Sequence, residues 1–258
     1  MWLHTLAAAG LSLVFSPAFM ILPAATIVYY NFHKFSYRLD SFRPVSIWKT
    51  VMGPSVRLTD RAMFVVGGIV ILIGLFKSSP ALVAAWTAAA FCALVYTFPL
   101  IRFSNRFRRL REMPLLKMTT VSVVWALTTA VFPLLVAESN LPISAPFFYK
   151  FAIVFALCVP FEIRDQKREL ARELPTVMQF GRKRVIGAAI VLLMIATMMQ
   201  LSSFLDGRLS LNTFMSFFIP GLMSAVLMII TRPDWPGWYF KLVVDGTMLL
   251  PFLILILA

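Results

Sequence analysis

Residues 161–169, Phe-Glu-Ile-Arg-Asp-Gln-Lys-Arg-Glu, carry three carboxylates at helical spacing. Asp165 and Glu169 are four residues apart, so in a helix their Cβ atoms share one face at about 5 to 6 Å, and Glu162 lies one turn earlier. Such a set can bind Mg²⁺, which proteins hold with one or two carboxylates together with substrate phosphates. The alternative is a solvated helix whose acids pair with neighbouring cations such as Arg164.

A second polar segment, residues 102–117, has six cations in sixteen residues. Arg102 and Lys117 are its first and last residues, and Tyr96 precedes it. Cations at this density can bind phosphates through charge-assisted hydrogen bonds. They can equally attract anionic lipid headgroups, at about 1 kcal/mol for each cation near the surface. The sequence leaves both interpretations open.

A third candidate is Asp245, which lies in an apolar segment four residues after Lys241. Ionisable residues at membrane depth are costly and are functional candidates by default. The alternative is an intrahelical ion pair with Lys241 near the membrane interface.

The elements that carry these residues are apolar. The chain has 258 residues, of which 60% are hydrophobic and 14% charged, and one water-soluble core cannot cover that much apolar surface. Since a membrane-crossing helix needs roughly 20 apolar residues, we expect an all-α, polytopic helical membrane bundle of about eight transmembrane helices. The expected spans lie near residues 5–32, 60–78, 80–101, 117–137, 144–162, 185–205, 210–231 and 239–257.

Lysine and arginine are unevenly distributed among the connections. The loops after the first, third, fifth and seventh spans hold 21 of the 24, and the alternate loops hold only Lys77, Lys150 and Arg208. The positive-inside rule places the rich loops in the cytoplasm and both termini outside, as expected for a bacterial inner membrane protein. The net charge of +13 is thus explained without nucleic acid, whose recognition needs a solvated basic face with stacking aromatics.

The order of the loops is repeated along the chain. A long basic loop, a tight helical hairpin and another basic loop run from residue 31 to 117, and the order recurs from 162 to 241. We therefore expect a single integral membrane domain, 1–258, made of pseudo-repeat halves at about 1–137 and 138–258. Parallel repeats of this kind commonly meet at a central cavity.

Several short segments resemble the UbiA-type membrane prenyltransferases, and together they cover most of the chain. They are residues 30–33, 96–99, 111–117, 162–169 with 174–176, and 244–246. The resemblance implies a helical bundle that opens to lipid, with two Asp-rich cytoplasmic motifs that bind an isoprenyl diphosphate through Mg²⁺. It also implies transfer of the prenyl group to an aromatic or other acceptor.

The resemblance assigns roles to the candidate residues. Asp165 and Glu169 match the second motif as catalytic metal ligands for Mg²⁺, with Glu162 beside them. Asn31 matches the first residue of the first motif. The diphosphate would be bound by polar and basic residues, namely Asn31, Lys34, Tyr96, Arg102, Lys117 and Arg164.

The chain departs from the family's first motif. Phe35 and Leu39 occupy the positions of its aspartates, and the nearest acid is Asp40. The first metal site is therefore lost, and basic residues of the same segment, His33, Lys34 and Arg38, are candidates to replace its charge. Compared with the family's nine spans, we also expect the first to be missing, which agrees with termini outside.

The sequence thus leaves three functions open. The first is a prenyltransferase that uses a polyprenyl diphosphate with weakened metal dependence. The second is a noncatalytic membrane protein that binds an isoprenoid or serves as a subunit of a membrane complex. The third is a transporter of an anionic lipid, because kinked helices and a basic cavity fit that function as well.

Overall fold

The computed structural model describes residues 21, 23–28, 58–98, 101–103, 106–137, 143–166 and 175–257. Apart from one small hairpin, their regular structure is helical. The α-helices after residue 28 are α1 (Leu58–Phe76), α2 (Pro80–Thr97), α3 (Leu116–Ala126), α4 (Phe132–Val136), α5 (Ser144–Asp165), α6 (Thr176–Phe180), α7 (Arg182–Leu205), α8 (Leu211–Ile230) and α9 (Leu250–Leu257). The hairpin strands are β1 (Ile101–Phe103) and β2 (Arg106–Arg108).

Tighter and wider helical turns extend several of these helices. A π-helical turn, Leu127–Val131, joins α3 to α4, so that Leu116–Val136 is one continuous helix. A π-helical turn at Tyr239–Val244 and a 3-10 turn at Asp245–Leu249 lead into α9. The C-terminal apolar segment is therefore helical throughout, with three different helical geometries.

Five of the described helices are long and apolar enough to cross a membrane: Pro80–Thr97, Leu116–Val136, Ser144–Asp165, Arg182–Leu205 and Leu211–Ile230. They coincide with five of the expected spans, and they are the helices of an integral membrane protein. The span expected at 60–78 corresponds to a shorter apolar helix, Arg61–Phe76. The span expected at 5–32 lies largely outside the described residues, so the total of eight stays a prediction.

The described residues divide into two compact units, an N-terminal unit that ends at Leu110 and a C-terminal unit that begins at Arg111. The expected halves divide near residue 137, which lies inside the second of these units. The sequence repeat itself stays a prediction, because a division by contacts does not test it.

In the N-terminal unit, α1 packs closely against the helical residues 23–28. A Cβ atom added to Gly67 would lie 2.6 Å from Cγ2 of Val28 and 3.3 Å from the carbonyl oxygen of Ala24. A residue without a side chain is therefore needed at this contact. After α2 the chain forms the antiparallel β1–β2 hairpin, in which Arg102 pairs with Phe107.

In the C-terminal unit, α5 is the central helix and packs against α3, α7 and α8. Its buried face is apolar except at three positions, Tyr149, Lys150 and Glu162. The Tyr149 hydroxyl donates a 2.7 Å hydrogen bond to the carbonyl of Phe217 in α8, one turn before Pro220. The bond therefore joins the central helix to α8 close to this proline, where the helix lacks one backbone N–H.

Neighbouring helices of this unit run in alternating directions, so the start of one helix lies beside the end of the next. At one end, Lys117 at the start of α3 contacts Glu162 at the end of α5, and Arg182 at the start of α7 donates to the carbonyl of Thr231 after α8, at 2.8 Å. At the other end, Gln200 of α7 donates to the carbonyl of Ala145 in α5. The first end carries the cation-rich connections; its location in the cytoplasm stays a prediction.

The Gly67 contact gives a test of the N-terminal unit. Gly67→Ala should lower the free energy of unfolding by about 1 to 3 kcal/mol, since the added methyl group overpacks a close helix contact. Gly68→Ala is the matched control, because nothing lies within 4 Å of its added Cβ. It should be neutral or stabilising by about 0.5 to 1 kcal/mol through helix propensity. Unfolding of the full chain in mixed micelles measures both, and equal effects would contradict the packing.

Candidate functional site

Glu162 is the more buried of the two described acids of the predicted metal set, with 2% of its surface exposed. Its Oε1 lies 2.9 Å from Nζ of Lys117, in the first turn of α3. Its Oε2 accepts a 2.5 Å hydrogen bond from the backbone N–H of Thr176, at the start of α6. Both carboxylate oxygens are therefore engaged by the protein itself.

A strained turn precedes Lys117. Leu115 has φ 65° and ψ −49°, and the N–H of Leu116 donates a 2.8 Å hydrogen bond to the carbonyl of Pro114. This is a γ-turn of the rare, strained form. The Leu115 N–H donates to Oγ1 of Thr176 at 3.0 Å, so Thr176 links the turn to Glu162 and stabilises both.

Arg164 lies beside this buried pair and is held in a fixed orientation. Its Nε is 2.9 Å from Oδ1 of Asp165. Its guanidinium carbon is 5.0 Å from the ring centre of Phe161 and 5.3 Å from that of Phe240, both within cation–π range. The side chains of Arg164 and Asp165 are 27% and 24% exposed, so the ion pair is accessible from outside the core.

Asp245 belongs to the same neighbourhood. The turn Tyr239–Val244, which directly precedes it, packs against α5, and the Phe240 ring in that turn contacts Phe161 and the Arg164 guanidinium. The side chain of Asp245 is exposed. No ion pair joins it to Lys241 in the part of the chain that the structure describes, so the intrahelical pair expected as an alternative is not formed.

We call this group the basic-end cluster. It consists of Lys117, Glu162, Arg164, Asp165, Thr176 and Asp245. Four of the sequence segments that resemble the UbiA enzymes contribute to it: 111–117, 162–169, 174–176 and 244–246. They are brought together although as many as 128 residues separate Lys117 from Asp245 in the sequence.

Five other predicted site residues do not belong to the described residues of the C-terminal unit. Half-buried Tyr96 lies near the end of α2, and Arg102 lies in β1; both belong to the N-terminal unit, which is described by itself. Asn31, Lys34 and Glu169 lie outside the described residues. Their roles stay predictions.

The described residues bear on the predicted Mg²⁺ ligands. Among them, no group of three or more His, Cys, Asp or Glu side chains could hold a metal ion. Glu162 is a poor fit for a Mg²⁺ ligand, because Lys117 and Thr176 engage both of its oxygens. Asp165 fits better, since it is partly exposed and shares a motif with Glu169.

Sequence reasoning missed two residues of the site. Thr176 follows Pro175 in a segment that carried the resemblance, but its side chain has no charge to suggest a role. Phe240 stacks on Arg164, and nothing in the sequence separates it from the other 23 phenylalanines. Both act through contacts between distant segments, which spacing does not show.

The Lys117–Glu162 pair should be important for stability. Lys117→Met leaves a buried carboxylate without its cation and should lower the free energy of unfolding by about 2 to 4 kcal/mol. Combining it with Glu162→Gln should restore part of this loss, since the amide oxygen still accepts from Thr176. Asp206→Asn, in an exposed ion pair with Arg208, is the control and should change it by less than about 1 kcal/mol. Similar losses for Lys117→Met and the control would show that the buried pair contributes little.

Comparison with protein-family models, with curated proteins and with solved structures finds no match for this chain. The resemblance to the UbiA-type enzymes therefore rests on the residues quoted above. What the chain does is accordingly inferred from its own chemistry.

Proposed function

We propose that this chain is a UbiA-like membrane prenyltransferase. It binds a polyprenyl diphosphate at the basic end of its helices and moves the isoprenyl group to an aromatic or lipid acceptor. One observation carries the proposal: the basic-end cluster joins four separate segments that carry the resemblance. The cluster also lies where apolar helices meet basic connections, as a lipid with a charged head requires.

Arg164 and Lys117 are the residues proposed to bind the diphosphate. A guanidinium held by two aromatic rings loses little freedom on binding, and its planar donors suit phosphate oxygens. The Lys117 side chain is 27% exposed, so its ammonium can contact a second anion besides Glu162. Cations placed at the leaving diphosphate stabilise the negative charge that develops as the allylic C–O bond breaks.

A metal would be held by Asp165 together with Glu169. When bound, Mg²⁺ supplies positive charge to the oxygens of the leaving group. Glu162 has a different role in this proposal, because it positions Lys117 and the Thr176 segment. Phe35 and Leu39 replace the acids of the first motif, so protein cations supply more of the positive charge and the metal dependence is weaker.

A second candidate is a noncatalytic isoprenoid-binding protein or a subunit of a membrane complex. It is favoured by the pairing of both described motif acids with protein cations, Glu162 with Lys117 and Asp165 with Arg164. Such a network is satisfied without a metal. It is compatible with a protein that kept the lipid site and lost turnover.

The proposed orientation follows from the distribution of charge. The basic end of the C-terminal unit would face the cytoplasm of a bacterial inner membrane, because cation-rich connections are retained on that side. A polyprenyl diphosphate carries its headgroup at the same surface. The cluster and its ligand would therefore meet at the inner interface.

The activity is tested with the purified full chain in vesicles and a series of allylic diphosphates of increasing length. We expect release of diphosphate that is stimulated by Mg²⁺. Asp165→Asn should lower release about 10- to 100-fold, and Arg164→Gln about 100-fold. Asp206→Asn is the matched control, since it removes an acid at the opposite end, and it should leave release unchanged.

The same samples distinguish the second candidate. Binding of a diphosphate that Arg164→Gln weakens, with no release at any chain length, would establish an isoprenoid-binding protein. Absence of both binding and release across the series would contradict the two proposals together.

A further inference from the structure

A groove of about 830 Å³ lies at the opposite end of the C-terminal unit. It runs along α7 from Val191 to Ser203 and includes the start of α5 at Ser144. None of its lining residues belongs to the basic-end cluster. The groove is thus a separate feature, and its occupant is independent of the proposed function.

The floor of the groove is apolar and flexible. Met194 and Met198 line it and are 57% and 55% exposed. Methionine adapts its shape to irregular apolar partners. The length from Val191 to Ser203 is about 18 Å at helical rise, which is close to half of a hydrocarbon core about 30 Å thick. One acyl chain of a single leaflet matches this length.

The end of the groove is polar and positively charged. Arg208 lines it together with Ser144 and Ser203. Arg208 is paired with Asp206 at 3.7 Å, and the two side chains are 71% and 52% exposed. An exposed pair at this distance is weak, so it competes poorly with a phosphate for the guanidinium.

Arg208 is also an exception in the distribution of charge. The sequence assigns only three cations to the alternate connections, and the structure places one of these, Lys150, inside α5 and fully buried. An exposed arginine at this end, on the rim of an apolar groove, complements an amphiphile with a negative head and an apolar tail. General attraction to the membrane surface would not place it beside the groove.

We propose that this groove binds a membrane phospholipid with an anionic headgroup. One acyl chain lies along α7 between Val191 and Ser203, and the phosphate contacts Arg208. The lipid belongs to the leaflet at the end opposite the basic-end cluster. It would fill a surface that is open beside α5 and α7 in the part of the chain that the structure describes.

The experiment uses the full chain in phosphatidylcholine vesicles that contain a trace of a photoactivatable lipid. The probe is phosphatidylglycerol or phosphatidylcholine with the reactive group in one acyl chain, and cross-linked residues are located by mass spectrometry. We expect the anionic probe to label α7 near Met194 and Met198 about fivefold more than the neutral probe. Arg208→Gln should bring that ratio close to one, whereas Asp206→Asn should keep or raise it.

The second part of the experiment fills the groove with a larger side chain. Met198→Trp should reduce labelling of α7 by both probes, and Met223→Trp on the exposed face of α8 is the matched control. Equal labelling by both probes in the unchanged protein, or a ratio that Arg208→Gln does not alter, would overturn the anionic lipid. Cross-links from α7 to another copy of the chain would show that a second protein occupies the groove. Arg208 is a surface residue, so the comparison of the two probes in Arg208→Gln remains valid even if Met198→Trp fails to fold.

Discussion

A buried carboxylate determines how the basic end of the C-terminal unit is built. An ionised acid with 2% exposure is unstable in an apolar core unless it is paired and hydrogen-bonded. Glu162 satisfies this requirement with Lys117 from α3 and the Thr176 N–H from α6. The strained turn at Leu115 is tolerated because Thr176 holds it. The arrangement of three helix ends therefore follows from one charge that water does not reach.

Glu162 and Asp165 consequently differ in their surroundings, although they are three residues apart on α5. Glu162 points into the core and is fully engaged, while Asp165 is partly exposed and shares its charge with Arg164. Burial gives the first a structural role. Partial exposure leaves the second accessible from outside the core. The sequence-based prediction treats these acids as one set of metal ligands and does not separate the buried acid from the partly exposed one.

The sequence predicts the helices better than it predicts the site. Long apolar runs identify five spans, because hydrophobic length alone decides whether a helix can cross a membrane. The span predicted from residue 80 agrees with α2, in which Ser79 caps the helix and Pro80 begins it. The partner of Glu162 could not be predicted from the sequence. Lys117 is 45 residues away, and local spacing favours a pair with the nearby Arg164 instead. Pairing across helices depends on packing that periodicity does not specify.

The two ends of the C-terminal unit differ in how many cations they carry and in how those cations are held. At the basic end cations are numerous. Arg164 differs from the others in its fixed geometry, because the rings of Phe161 and Phe240 hold it. At the other end cations are rare, so a single exposed arginine beside an apolar groove is distinctive by its position alone. Abundance therefore says little about which cations bind a ligand. Orientation by neighbouring side chains, and proximity to a surface that fits an apolar tail, are the properties that distinguish them.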